Sequence, residues 1–168
     1  MIPASDPEEA FAAAYDKYAE PIFRHCYFRT FNRERGKELM QETFMRVWEY
    51  IQKGHDIETE QAFLYRTANN LIIDEARRRS KRKEESLEAL QEEGFDIGTD
   101  EDEQTMQRKV DERNVLSIIR KIDQPYRDTL ILRFVDGLTP AEITGESANV
   151  ISVRLNRGLK KLRTLLKQ

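Results

Sequence analysis

Met40, Phe44, Val47 and Ile51 are separated by four, three and four residues. That spacing puts four large apolar side chains on one face of an α-helix and does not fit the two-residue alternation of a strand. Asn32 stands where an N-cap is wanted, and Glu34 falls in the first turn, where the helix dipole favours a negative charge. Glu38, Gln41, Glu42, Arg46 and Glu49 fall off the stripe and are expected to face outward. A polar break at 53–56 precedes a second helix, with Leu64, Ala68, Leu71 and Ile72 expected inward. It runs into Ala76-Arg-Arg-Arg-Ser-Lys-Arg-Lys83, which holds six basic residues in eight. A helix pair ending in such a run is a candidate nucleic-acid surface.

Upstream, Asp6-Pro7-Glu8-Glu9 reads as a capped helix start with proline in the first turn. Phe11, Ala14, Tyr18, Ile22 and Cys26 then repeat at helical spacing. Pro21 is expected to kink or break this run into two pieces. Arg24, Arg29, Arg33 and Arg35 near its end are expected on a solvated face, with phosphate contact as the alternative.

The order Glu38-Leu-Met-Gln-Glu-Thr-Phe-Met-Arg-Val-Trp48, then Ala62-Phe-Leu-Tyr-Arg-Thr-Ala-Asn-Asn-Leu-Ile-Ile-Asp-Glu-Ala-Arg-Arg-Arg79, resembles region two of the bacterial extracytoplasmic-function sigma factors. These belong to the sigma-70 family of RNA polymerase specificity subunits.

Downstream, residues 84–103 carry ten acidic groups and no basic one. With Gly94 and Gly98 and no sustained apolar stripe, residues 84–107 read as a flexible acidic linker, with a short helix open at 87–90. Helical period returns at Arg108 through Val115, Ile118, Ile119 and Ile122. After the turn at Asp123-Gln-Pro125, Tyr126, Leu130, Ile131 and Phe134 are expected inward, and Gly137 is a natural stop. Thr139-Pro-Ala-Glu142 reads as a capping box. It opens a brief helix, because Gly145 follows. Ser147 can cap a last helix striped by Ile151, Leu155, Leu159, Leu162 and Leu166. From Ser147 onward there are six basic and no acidic residues. Short helix, glycine turn and basic amphipathic helix make a helix-turn-helix. The stretch from Ile122 to Arg163 also resembles region four of the same family, except that the helix before Gly145 is shorter by roughly one turn.

The expected fold is therefore all-α: a region-two helical bundle over 1–83 and a region-four helix-turn-helix over 108–168, joined by the linker 84–107. No apolar run approaches the ~18 residues of a membrane span, so no membrane insertion is expected. The acidic N-terminus lacks a signal-peptide core. The single cysteine, Cys26, fits a reducing compartment and a cytoplasmic location. His25 and Cys26 are adjacent and His55 stands alone, which falls short of the three or four ligands of a zinc site. Cys26 reads as a small core residue. No phosphate-binding loop, dinucleotide turn, metalloprotease helix or nucleophile elbow is present. No enzyme activity, cofactor or metal is expected.

The resemblance implies a subunit that binds core RNA polymerase, at the beta-prime clamp and the beta flap, and directs it to −10 and −35 promoter elements while helping to open the duplex. It puts Glu38, Leu39, Gln41, Glu42 and Phe44 at the clamp helices. It puts the loop 53–60, with Lys53 and His55, and Arg66, Asn69, Asn70 and Asp74 at the −10 element, where a base must be held out of the stack. Arg77, Arg78, Arg79, Lys81 and Arg82 would hold phosphates there. On the last helix, Asn149, Ser152, Val153 and Asn156 are the base-reading candidates at −35. Ser147, Arg154, Arg157 and Lys161 complete that DNA surface. An anti-sigma factor is a further conceivable partner. Two other readings compete: a DNA-binding regulator that does not join polymerase, and an interaction-only decoy for an anti-sigma factor.

Overall fold

The computed structural model describes residues 6–85 and 113–168, with side chains of the first stretch described through Arg82. The described residues are helical, without a β-strand, and fall into two compact units divided between Gly94 and Phe95. The expected helix at 87–90 and the rest of the linker lie outside the described residues.

The first unit has three long helices: α1 (Pro7–Thr30), α2 (Arg33–Gln52) and α3 (Glu60–Glu85). Asp6 caps α1 by accepting from the Glu9 amide, and Asn32 caps α2 by accepting from the Arg35 amide at 2.9 Å. Between them Phe31 takes the left-handed conformation (φ 58°), which ends α1 and turns the chain back within two residues. The aromatic contacts give the direction of the pairing. Phe11 meets Trp48 at 4.9 Å, Tyr15 meets Phe44 at 4.8 Å, and the backbone of Tyr27 lies against Gly36. Hence α1 and α2 are antiparallel. Tyr50 meets Phe63 and Arg35 reaches Glu75, so α2 and α3 are antiparallel as well. His25 lies edge-on to Tyr65, and four residues along each helix Arg29 meets Asn69, so α1 and α3 run parallel. The bundle is up-down-up around Ile22, Cys26, Leu39, Phe44, Val47, Leu64, Ala68 and Leu71.

Two expectations about α1 are corrected. Pro21 neither breaks nor divides it, because α1 is assigned as one helix of 24 residues. Pro21 is exposed, so water can satisfy the carbonyl that its missing N–H leaves. Arg29 is not on a solvated face; it is 7% exposed and donates to the Asn69 side-chain oxygen at 2.8 Å.

The second unit comprises α4 (residues 113–120), α5 (Gln124–Leu130) with a π-helical continuation (Ile131–Val135), α6 (Pro140–Thr144) and α7 (Ala148–Leu166). Its core gathers Leu116, Ile119, Ile122, Leu130, Ile131 and Leu132, with Leu138, Ile143 and Ile151. On α4 Leu116 and Ile119 face inward, while Val115 is 44% exposed. Phe134 does not face inward but is 60% exposed. The reason is the π-turn, in which the Asp136 amide donates to the Ile131 carbonyl five residues back. The extra residue per turn rotates the chain so that Leu132 takes the inward place and Phe134 turns out. Gly137 (φ 67°) then ends the helix, as expected.

Thr139 precedes α6 with Pro140 first in the helix, but the Thr139 side chain makes no cap hydrogen bond; the Glu142 amide donates to the Thr139 carbonyl. Gly145 (φ 75°) closes α6 after five residues. Ser147 does cap α7, accepting from the Val150 amide at 3.3 Å. Behind α7, Gly158 is buried against Leu130, with so little room that an added Cβ would lie 3.0 Å from a Leu130 methyl. Leu166, the last residue of the expected stripe, is 62% exposed at the helix end.

Candidate polymerase and nucleic-acid surfaces

At about 100° per helical residue, Gln41, Met45, Glu38, Glu49 and Glu42 share an arc of roughly 100° on α2. Glu42 is half-buried and the others are exposed. Met45, at 64% exposure, lies in the middle of this strip and is ringed by acids and an amide. Leu39 and Phe44 do not belong to it. They are 1% and 3% exposed, Phe44 with its ring edge-on to Phe11 and Tyr15. Both are core residues of the unit rather than members of the exposed strip, and Phe44 packs α2 against α1. Periodicity hides Met45, because it sits beside the apolar stripe. Its signal is a large apolar residue on a face otherwise charged.

Glu38 is tied to the third helix through Arg35. Arg35 Nη1 donates to Glu38 Oε2 at 2.7 Å, while its Nε donates to Glu75 Oε1 on α3. Arg79 Nη2 lies 3.8 Å from that same Glu75 oxygen. Burial by itself would lower the Arg35 pKa, but the hydrogen bonds and charges of Glu38 and Glu75 outweigh it and hold the guanidinium above its ordinary value.

On α3, Arg66, Asn70, Asp74, Arg77 and Lys81 fall within an arc of roughly 80°, and Arg78 and Arg82 continue it. All seven are exposed. Two expected members lie elsewhere. Asn69 is 3% exposed and accepts from Arg29, so it joins helices and cannot read a base edge. Arg79 is half-buried and turned toward Glu75.

The loop before α3 is well anchored. Gly54 (φ 87°) follows the end of α2, and Ile57 is buried at 3% exposure. Lys53 and His55 are exposed beside it. The His55 ring stacks on Tyr50 at 4.6 Å and 26°, and Tyr50 meets Phe63 at 4.7 Å. The stack of Tyr50, His55 and Phe63 has no signature in the sequence, since it joins residues from two helices and a loop.

In the second unit, Asn149, Ser152, Val153, Asn156 and Arg157 are exposed on α7, as is Val150. A shallow groove of about 350 Å³ runs between their N-terminal half and Pro125 and Tyr126 of α5. Arg154 is half-buried and 3.3 Å from Glu146. Lys161 is paired with Asp123 and lies 5.0 Å over the Tyr126 ring. That pair also accounts for Asp123 making no side-chain cap to α5.

A family model of sigma-70 region 2 matches residues 14–82, which contain α2 and all but the end of α3. The chain is also similar to the ECF RNA polymerase sigma factor SigW of Bacillus subtilis, with 26% identity over 171 residues that cover 95% of this chain and 90% of SigW. These matches make the chain similar to the ECF group of the sigma-70 family. It is likewise similar to the ECF RNA polymerase sigma factor BldN of Streptomyces coelicolor, 26% identical over 167 residues, 94% of this chain and 61% of BldN. Its fold is that of the sigma factor RpoE co-crystallised with the anti-sigma factor NepR from Bartonella quintana. The TM-score is 0.77 at 18% identity, covering 95% of this chain and 98% of RpoE. Among the described residues, no group of three His, Cys, Asp or Glu could hold a metal ion. No described helix is long and apolar enough to cross a membrane.

Proposed function

We propose that this sigma factor binds core RNA polymerase through the α2 strip around Met45 and directs it to promoters, with the exposed α3 strip on −10 DNA and α7 on −35 DNA. One observation carries the reading: a single helical bundle presents an acid-and-amide strip with an apolar centre on α2 and a separate basic strip on α3. A desolvated apolar centre with a polar rim is how protein interfaces are built. A row of exposed arginines and lysine suits phosphates. A DNA-binding regulator acting without polymerase would have no use for the α2 strip.

Each surface then has a task. Met45 inserts into the partner, and Glu38, Gln41, Glu42 and Glu49 meet its polar and basic groups. Arg77, Arg78, Lys81 and Arg82 set the register on the backbone. Asn70, with an amide that both donates and accepts, faces bases. The stack of Tyr50, His55 and Phe63 offers aromatic faces to a base lifted from the duplex, and stacking on such faces stabilises it by about 1–3 kcal/mol. On α7, Asn149, Ser152 and Asn156 address base edges, and Val150 and Val153 suit thymine methyls. The chain supplies binding and strand separation and takes no chemical step. It acts in the cytoplasm, where the polymerase is. The RpoE–NepR co-crystal makes an anti-sigma factor a natural further partner.

In-vitro transcription with core polymerase on a randomised promoter library tests the whole reading: specific start sites are expected only when the chain is added. Met45→Ala should weaken core binding by about 1–2 kcal/mol, as for an interface anchor, with an unchanged melting curve. Normal core affinity in that variant would remove Met45 from the interface.

A further inference from the structure

Ser80 stands inside the basic run of α3, in the order Arg77-Arg-Arg-Ser80-Lys-Arg-Lys83. No other serine or threonine of the chain directly follows three cations. Its hydroxyl also differs from most helical hydroxyls of the molecule. Thr30, Thr43, Thr67, Thr129, Thr144 and Thr164 each donate to the carbonyl four residues back, and Ser117 donates to the one three back. Among the described residues Ser80 makes no such bond, and it is exposed. Ser152 shares that freedom but follows Asn149, Val150 and Ile151, none of them a cation. Among the described residues, an available hydroxyl and a cationic approach to it coincide only at Ser80.

We propose that Ser80 is a phosphorylation site, served by a protein kinase with an acidic substrate groove, and that phosphate there withdraws the α3 strip from DNA. The second half of the inference rests on the reading of that strip as a DNA surface. Kinases select substrates by charge pattern, and the exposed Arg77 and Arg78 offer guanidinium groups to an acidic groove. Ser80 lies within the last two turns of α3 (Glu60–Glu85), where helix ends fray and an extended backbone is most accessible. In the transfer, Ser80 Oγ attacks the γ-phosphorus of ATP and the bond to the bridging oxygen breaks. ADP leaves, and the hydroxyl proton passes to the base of the kinase. The product carries about 1.5 to 2 negative charges and three strong acceptor oxygens. Arg77, three residues back, is a neighbour on the helix surface. Arg78, Lys81 and Arg82 are exposed on the adjoining residues. The new phosphate satisfies cations that would otherwise hold DNA phosphates, and it repels the DNA backbone as well.

Salt titrations of the holoenzyme on duplex promoter DNA test the effect, with phosphoserine placed at position 80 during synthesis of the full chain. Two neutralised cations flatten the slope of log affinity against log salt by about 1.8, or roughly 12-fold in affinity over a fourfold rise in salt. That change is expected with phosphoserine and should be reversed by phosphatase, whereas Ser80→Ala should match the wild-type chain. Labelling tests the site. A purified Ser/Thr kinase that selects basic substrates, given ATP labelled at the γ-phosphate, should label the full chain on Ser80, located by peptide mass spectrometry. The label should vanish in Ser80→Ala and fall sharply when Arg77 and Arg78 are both alanine. Thermal melts of each variant establish that it folds. Label confined to other residues would overturn the proposal. So would a phosphoserine chain with the wild-type slope where alanine at Arg77, Arg78 and Arg82 flattens it. A slope that those three alanines leave unchanged would defeat the parent reading instead, and the labelling of Ser80 is independent of that outcome.

Discussion

The two units of the chain solve the burial problem differently. The first has helices of 24, 20 and 26 residues, long enough for each to bury a continuous stripe and still present a separate polar face. Its candidate strips therefore lie on a bundle that is complete without them. The second has helical pieces of seven, five, five and 19 residues after α4. None of the short ones is stable alone, so α7 serves at once as core element and as candidate DNA reader. It leaves Val150 and Val153 in the open together with Phe134. In the first unit, side chains that hold the fold and side chains that meet partners can be told apart by burial. In the second they share one helix.

Truncating the core of the long-helix unit tests that division most strongly. Phe44→Ala should destabilise the first unit by about 3–5 kcal/mol, read by denaturant melts, with the second unit's transition unmoved. A variant that melts normally yet fails to bind polymerase would return Phe44 to the interface.

The buried glycines compare helix packing in the two units. A Cβ on Gly36 would lie 3.0 Å from backbone atoms of Tyr27, whereas one on Gly158 meets only the Leu130 side chain. Backbone cannot move aside as a leucine can. Gly36→Ala should cost about 1–3 kcal/mol. Gly158→Ala should be close to neutral, because a helix-propensity gain of about 1 kcal/mol offsets the squeeze. Equal costs in thermal melts would mean that the second unit is packed as rigidly as the first.

Salt slopes separate the basic groups of the two units. Alanine at Arg77, Arg78 and Arg82 should flatten the holoenzyme slope by about 0.9 for each phosphate no longer held, on all promoter sequences alike. Lys161→Ala should change it less, since Lys161 already neutralises Asp123. The smallest effect is expected from the acidic stretch between the units. Replacing the ten acids of 84–103 by Ser, Asn and Gln should raise non-specific DNA binding by the free chain, visible in gel shifts only at low salt. Equal affinities there would leave those acids no shielding role.

Local chemistry is legible in the sequence wherever one residue type has one use. Asn32, Asp6 and Ser147 cap the helices they precede, and Gly137 and Gly145 end the helices they follow. The stripe Met40, Phe44, Val47 and Ile51 is buried throughout. What the sequence conceals depends on neighbours distant in the chain. Arg29 and Asn69 look like surface residues until two parallel helices bring them together. Leu39 and Phe44 belong to the family's motif, but burial assigns them to its support. Phe134 keeps helical spacing on paper, and only the wider turn from Ile131 reveals that it has left the stripe. Pro21 reads as a break because the exposure that makes it tolerable is a property of the bundle.

The five-residue α6 has a consequence for how this protein can change. So short a helix gives α7 little purchase. α7 is held by Ile151, buried in the core, by Gly158 packed on Leu130 of α5, and by Lys161 paired with Asp123 just before α5. Asn149, Ser152 and Asn156 at the front take no part in that grip. They form an exchangeable key-bit on a fixed shank: substitution at these three exposed positions leaves the holds at Gly158 and Lys161 in place.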